Sequence, residues 1–206
     1  MNYMPSEVSG RMRMNPLVDV LKKTLGVPKV WETDDWHTEF LLNLVRLLRP
    51  NLYVEVGVYE AVTLNQVARY CNHAIGIDTN PESFAHIRGK NISGINGTSD
   101  ELQNHKLIKD NNLIDIAFVD GNHDSDQVLR DFRNIRPFCA NNSLIVFHDT
   151  YPKSPDFLDS RKCSDSYRVP ELIHQELASS WNYVTIPRHP GMTLFSQRNK
   201  LPTWMG

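Results

Sequence analysis

Four acids stand where a chain could do chemistry: Glu55, Asp78, Asp120 and Asp149 each lie in, or at the end of, a short apolar run. The runs are LYVEVG (52–57), AIGID (74–78), IDIAFVD (114–120) and SLIVFHD (143–149). Asp120 opens the string DGNHD, which sets His123 three residues on, and Asp149 directly follows His148. Carboxylates and imidazoles are ligands for divalent cations. They are also the side chains that exchange protons near neutral pH. Acids that share a crevice suit a cation, a ligand rich in hydroxyls, or both, because an ionised carboxylate only accepts hydrogen bonds.

The elements that must position these groups follow from hydrophobic periodicity. Leu41, Leu44, Val45 and Leu48 recur at helical spacing and Pro50 stops the helix. LYVEVG reads as a strand, and the stripe Leu64, Val67, Ala68 and Cys71 as the helix behind it. AIGID is the next strand, after which Asn80 caps a helix with Pro81 in its first turn. NISGING (91–97) is a short, weak strand. IDIAFVD is a buried strand, followed by a helix with Val128, Phe132 and Ile135 on one face. SLIVFHD is another strand, Val169, Leu172, Ile173 and Leu177 mark the last helix, and residues 182–198 form two strands turning at His189-Pro190-Gly191.

Strands alternating with helices imply crossover units. The expected fold is α/β: a doubly wound, mostly parallel, seven-stranded sheet closed by a C-terminal antiparallel hairpin. The expected organisation is an N-terminal extension or cap over 1–33 and one domain over 34–206. In such a sheet ligands bind at the carboxyl ends of the strands, which is where the acids fall.

Composition narrows the partners. The chain has 206 residues, 40% of them apolar and 22% charged, with a formal net charge of −2. Without a basic surplus, neither nucleic acid nor an anionic membrane is an expected partner. Three widely spaced cysteines with no signal-like N-terminal segment fit reduced thiols and a cytoplasmic location. The Gly-Asn-His-Asp string at Gly121–Asp124 also occurs in dinuclear phosphoesterases. Those need an Asp-x-His at a strand end, a Gly-Asp-x-x-Asp and a Gly-His-x-His; here Asp35-Trp36-His37 opens a helix and the other two are absent. The lack of further glycines after Gly57 makes a poor match to a nicotinamide site.

VEVGVYEAVT followed by IGIDTNP resembles the first two motifs of class I S-adenosylmethionine-dependent methyltransferases, with the Rossmann-like fold that implies. AFVDGNH and LIVFHDTYP resemble the metal-dependent O-methyltransferases of that class, nearest to the branch with macrocin O-methyltransferase-like sugar and small-molecule enzymes. The likeness runs from about Trp36 to Arg198. It implies that Glu55 and Gly57 lie beside the methionine portion of the cofactor, with Val58, Tyr59 and Thr63 in the same turn. It implies Asp78 at the ribose with Thr79 beside it, and the segment Thr98-Ser99-Asp100 at the adenine. Asp120 is implied to serve both cofactor and catalysis, Asp120 and Asp149 to hold a divalent cation such as magnesium, and His123 to be the general base. Two positions depart from the pattern: Ala61 replaces a second glycine, and His148 replaces an acid and thereby joins the expected metal set as a ligand for a softer ion.

The expected activity is methyl transfer to a hydroxyl of a small polyhydroxylated acceptor, sugar-like or a natural product. The loop 151–167 would wall the acceptor pocket, and relatives often self-associate. The competing readings are a cofactor-binding protein without turnover and, lower, the phosphoesterase.

Overall fold

The computed structural model describes residues 36–177 and 181–197; the extension expected over 1–33 lies outside them. Helix α1 (Trp36–Leu48) buries Trp36, Leu41, Leu42 and Val45, while Leu48, read as part of the apolar stripe, is half exposed. Arg49 turns left-handed at φ 49° and Pro50 ends the helix. Then come β1 (Leu52–Val56), α2 (Val62–Val67), β2 (His73–Asp78), β3 (Ile92–Asn96), the single turn α3 (Lys106–Lys109) and β4 (Ile114–Val119). Helix α4 (Ser125–Ile135), β5 (Cys139–His148), α5 (Val169–Leu177), β6 (Trp181–Ile186) and β7 (Met192–Gln197) complete the chain.

The expected helix after Asn80 is a 3-10 helix, Pro81–His86, although Asn80 does cap it, accepting from the Glu82 N–H at 3.1 Å. A second 3-10 helix, Ser99–Asn104, follows β3. Among the described residues, no helix is long and apolar enough to cross a membrane.

The seven strands run in the order β3-β2-β1-β4-β5-β7-β6. β1 pairs in parallel with both β2 and β4, Val54 meeting Ile75 on one side and Ala117 on the other. β7 pairs antiparallel with β5 and β6, so the expected hairpin closes the sheet. Side chains alternate between two cores. Val54, Ile77, Phe132, Ile173 and Phe195 pack on the α4–α5 face. Tyr53, Leu64, Phe118 and Val146 pack on the α1–α2 face.

Strand order reverses between β1 and β4, which opens a crevice at their carboxyl ends. The strand exits stay close there: Gly57 N donates to Ile77 O of β2 at 2.9 Å, and Asp120 N, just past β4, donates to Val56 O of β1 at 2.8 Å. Gly57 has φ +90°, and a Cβ on it would lie 2.2 Å from the Asp120 carbonyl oxygen. Gly57→Ala should therefore lower stability by at least about 2 kcal/mol, combining left-handed strain with a backbone clash. A urea midpoint equal to wild type would show that the loop can move aside. Ala61, also left-handed at φ 55° and fully buried, should respond oppositely. Ala61→Gly should gain up to about 1 kcal/mol in the same titration.

Candidate active site

The crevice is a cleft of about 670 Å³. One side is built from the ends of β2 and β3. Asp78 accepts through Oδ2 from the N–H groups of Val58 and Tyr59, both at 2.9 Å, and through Oδ1 from Asn80 N at 2.8 Å. Burial would push its pKa up, but these backbone donors outweigh it and hold the carboxyl below its usual range. Gly57, Tyr59, Asp78, Thr79, Thr98 and Ser99 line this side.

The other side is built from the ends of β4 and β5. Asp120, His123 and Asp149 bring ligand atoms within 4.8 Å of one another. His123 Nε2 lies 3.0 Å from Asp149 Oδ2 and 3.7 Å from Asp120 Oδ1, while its Nδ1 meets the Lys162 carbonyl. His148 Nδ1 lies between the two acids, 2.8 Å from Asp120 Oδ1 and 3.2 Å from Asp149 Oδ2. Its Nε2 is buried and has no hydrogen-bond partner among the described residues. Asp149 adopts φ 58° and is fixed by the Cys163 thiol, 3.3 Å from Oδ1, and by the Ser166 hydroxyl, 2.8 Å from its carbonyl.

The charges are mutually supporting. Burial disfavours the ionised form of Asp120, yet His148, His123 and His37 outweigh it and hold the carboxyl far below its usual range. Burial likewise disfavours an imidazolium at His148, but the two carboxylates carry its pKa up to about 10. His123 is raised by the same acids against the same burial.

The structure thus brings together Gly57, Tyr59, Asp78, Thr79, Thr98, Ser99, Asp120 and His123 on the cleft, with Asp149 and His148 packed behind. Three residues placed at the cofactor by the sequence are not in its lining. Strand alternation turns Glu55 inward, 1% exposed, where it accepts from the Tyr53 hydroxyl at 2.7 Å. Val58 points its side chain into the core and offers only its N–H. The Thr63 hydroxyl meets that of Thr38 at 2.8 Å.

Other residues at the site were not singled out by the sequence. Gln127 and Asp131, one helical turn apart on α4, line the cleft; Ser160 and Arg161, which line it too, belong to the loop 151–167 already expected as a wall. His37, named above only as part of Asp35-Trp36-His37, stacks on Phe118 and sits 4.3 Å, ring to ring, from His148. Gln127 and Asp131 carry a signal of sorts, a polar i, i+4 pair on the helix that follows the Asp120 motif. His37 carries none, because it arrives from a distant helix.

Residues 54–150 match a family model described as a methyltransferase domain. No curated protein matches the chain in sequence. Among solved structures, cofactor-bound Rv0187 from MTB is 13% identical, with 93% of this chain and 94% of that chain covered and a TM-score of 0.65. The O-methyltransferase from Bacillus cereus, solved with SAH, is 13% identical over 89% and 90%, with a TM-score of 0.63. The O-methyltransferase TomG from Streptomyces achromogenes, involved in tomaymycin synthesis and solved with SAM, is 16% identical over 86% of each chain, with a TM-score of 0.63. At these identities the structural likeness is one of fold. The chain thus has the Rossmann-like fold of these methyltransferases, and its residues 54–150 are similar to a methyltransferase domain.

Glu55 supplies a pH test of this geometry. Burial raises its pKa from 4.5 to about 8. Between those values the folded state keeps a proton that the unfolded state has lost, so stability falls as pH rises from 4.5 to about 8. Glu55→Gln, which keeps an acceptor for Tyr53, should flatten that slope in thermal melts. A slope unchanged by the substitution would assign it to another group.

Proposed function

We propose that the chain transfers the methyl group of S-adenosylmethionine to a hydroxyl of a small polyhydroxylated acceptor, a sugar or glycosylated metabolite, assisted by a divalent cation. One observation carries this reading: Asp120, His123 and Asp149 converge on one side of a cleft whose other side is formed by Asp78 and the segment after β3. In this reading Gly57 and Tyr59 flank the methionine portion, Asp78 and Thr79 the ribose, and Thr98 and Ser99 the purine. Val58 acts through its N–H on Asp78, while Glu55 and Thr63 support the turn from behind.

The chemistry of the donor set fits a cation. The Lys162 carbonyl can only accept, so His123 Nδ1 is the protonated nitrogen. A neutral His123 then turns the lone pair of Nε2 toward Asp149 Oδ2, 3.0 Å away. Two acceptors at that separation require a proton or a cation between or beside them. Asp120 and Asp149 would hold the ion, with His123 Nε2 beside it and His148 buttressing the two carboxylates from the buried side. A bound cation lowers the pKa of a hydroxyl that it coordinates.

The chain's own residues account for the remaining requirements. His123 Nε2, at the exposed edge of the cluster, takes the hydroxyl proton as general base, and Asp149 stabilises the resulting imidazolium. Lys162 and Cys163 tie the loop 151–168 against His123 and Asp149, so the wall of the acceptor site forms on the catalytic groups themselves. Holding the acceptor oxygen in line with the sulfonium methyl contributes through orientation. Oxygen as the methyl acceptor agrees with the O-methyltransferases among the structural neighbours.

Isothermal titration tests both parts. S-adenosylmethionine should bind wild type, and Asp78→Ala should weaken it about tenfold or more, the loss of charge-assisted hydrogen bonds. Manganese or magnesium should bind chelator-treated wild type but not Asp149→Ala. Absence of cofactor binding, with or without metal, would overturn the reading. Cofactor binding without any metal binding would remove the cation and leave His123, His148 and the acids as the catalytic set.

A further inference from the structure

Given that cofactor reading, we propose that Asp131, in the middle of α4, is the residue that selects the 6-amino group of the cofactor's purine. The sulfonium methyl has to face His123 and the acids at the ends of β4 and β5, and the ribose diol has to face Asp78 at the end of β2. The purine, on the far side of the ribose from sulfur, then falls between the segment after β3 and the face of α4 that packs on it. Thr98, Ser99, Gln127 and Asp131 line the cleft at that place.

Their hydrogen bonds decide what this place can recognise. The Ser99 hydroxyl donates to Asp131 Oδ1 at 2.6 Å and accepts from Asn134 Nδ2 at 2.8 Å. Gln127 Nε2 also donates to Asp131 Oδ1, at 3.1 Å. Both donors fall on the same oxygen and orient the carboxylate. Oδ2 is left as the group that Asp131 offers the cleft. The residue as a whole is 2% exposed, but Oδ2 is not among the fully buried side-chain atoms that lack a partner, so it is open to the cleft, where a ligand's donor can reach it. A 6-amino purine presents N–H donors at that position, whereas a 6-oxo purine presents an acceptor that the carboxylate repels.

Asp100, the other acid nearby, is committed elsewhere. Its Oδ1 accepts from Arg130 Nε at 3.1 Å and Nη2 at 3.0 Å, its Oδ2 accepts from Thr98 Oγ1 at 2.7 Å, and it does not line the cleft. Burial also holds the Asp131 pKa above its usual value, consistent with a carboxyl that lacks its full complement of donors.

The test is calorimetric binding of S-adenosylhomocysteine and its 6-oxo counterpart, S-inosylhomocysteine, to wild type, Asp131→Asn and Asp100→Asn. Wild type should prefer the 6-amino compound by about 10- to 100-fold, the range for a hydrogen bond to a charged group. Asp131→Asn, whose amide can donate to a 6-oxo group, should bring the two compounds within about threefold. Asp100→Asn should keep the wild-type ratio. Equal binding of both compounds to wild type would overturn the proposal while leaving the cofactor reading intact, and this comparison stands even if Asp131→Asn fails to fold. A wild-type ratio preserved in folded Asp131→Asn, or lost in Asp100→Asn, would move the role away from Asp131. Failure of wild type to bind either compound would instead remove the cofactor reading, and this proposal with it.

Discussion

The close approach of Gly57 to the Asp120 backbone is the constraint on which the site depends. β1 and β4 are hydrogen-bonded almost to their last residues, and the sheet order reverses between them. The two exits must therefore diverge from a point where there is no room for a side chain, and a Cβ there would lie 2.2 Å from the Asp120 carbonyl oxygen. Beyond that point the chain curls through Tyr59 and Ala61, both left-handed at φ 48° and 55°. The curl leaves the N–H groups of Val58 and Tyr59 without a strand partner, and Asp78 accepts both. The acid at the end of β2 is thus oriented by the same turn that opens the crevice.

A second constraint is electrostatic. Asp120 and Asp149 both approach one imidazole, His148, which is nearly excluded from water. Two carboxylates held this close would repel strongly in a low-dielectric setting. His148 and His123 offset that repulsion, and this is why burial fails to raise the Asp120 carboxyl. His148 replaces an acid of the resembled pattern without leaving the cluster, turning one potential oxygen ligand into a positive charge that joins the other two acids.

Much of the scaffold was legible because it follows from apolar periodicity. All seven strands and the closing hairpin are present in the expected order, although β5 begins at Cys139, four residues before the expected start, and the acids follow the strands that were expected to present them. The sequence misleads where a side chain's face matters more than its element. Glu55 belongs to a strand buried on both faces, so its closeness to a strand end does not bring it into the cleft. The helix expected after Asn80 is a 3-10 helix because Ile87 already returns to extended geometry, at ψ 134°, to lead into β3. His37 reaches the site only through tertiary packing, which no local pattern encodes; Asp131 is marked only by its i, i+4 spacing from Gln127, which does not say what the pair faces.

Helix α4 shows why a residue without a motif can matter here. Its first turn is tied to the loop after β5: Asp165 accepts from Ser125 N at 2.7 Å and from the Ser125 hydroxyl at 2.8 Å. Six residues on, about 9 Å along the axis, Asp131 reaches the segment after β3 through Ser99. Phe132 and Ile135, fully buried, pin the helix between these contacts. A rigid helix anchored at both points cannot shift toward the loop without shifting at Ser99. Anchored at Asp165 and at Ser99, α4 holds Gln127 and Asp131 against the cleft between the loop after β5 and the segment after β3.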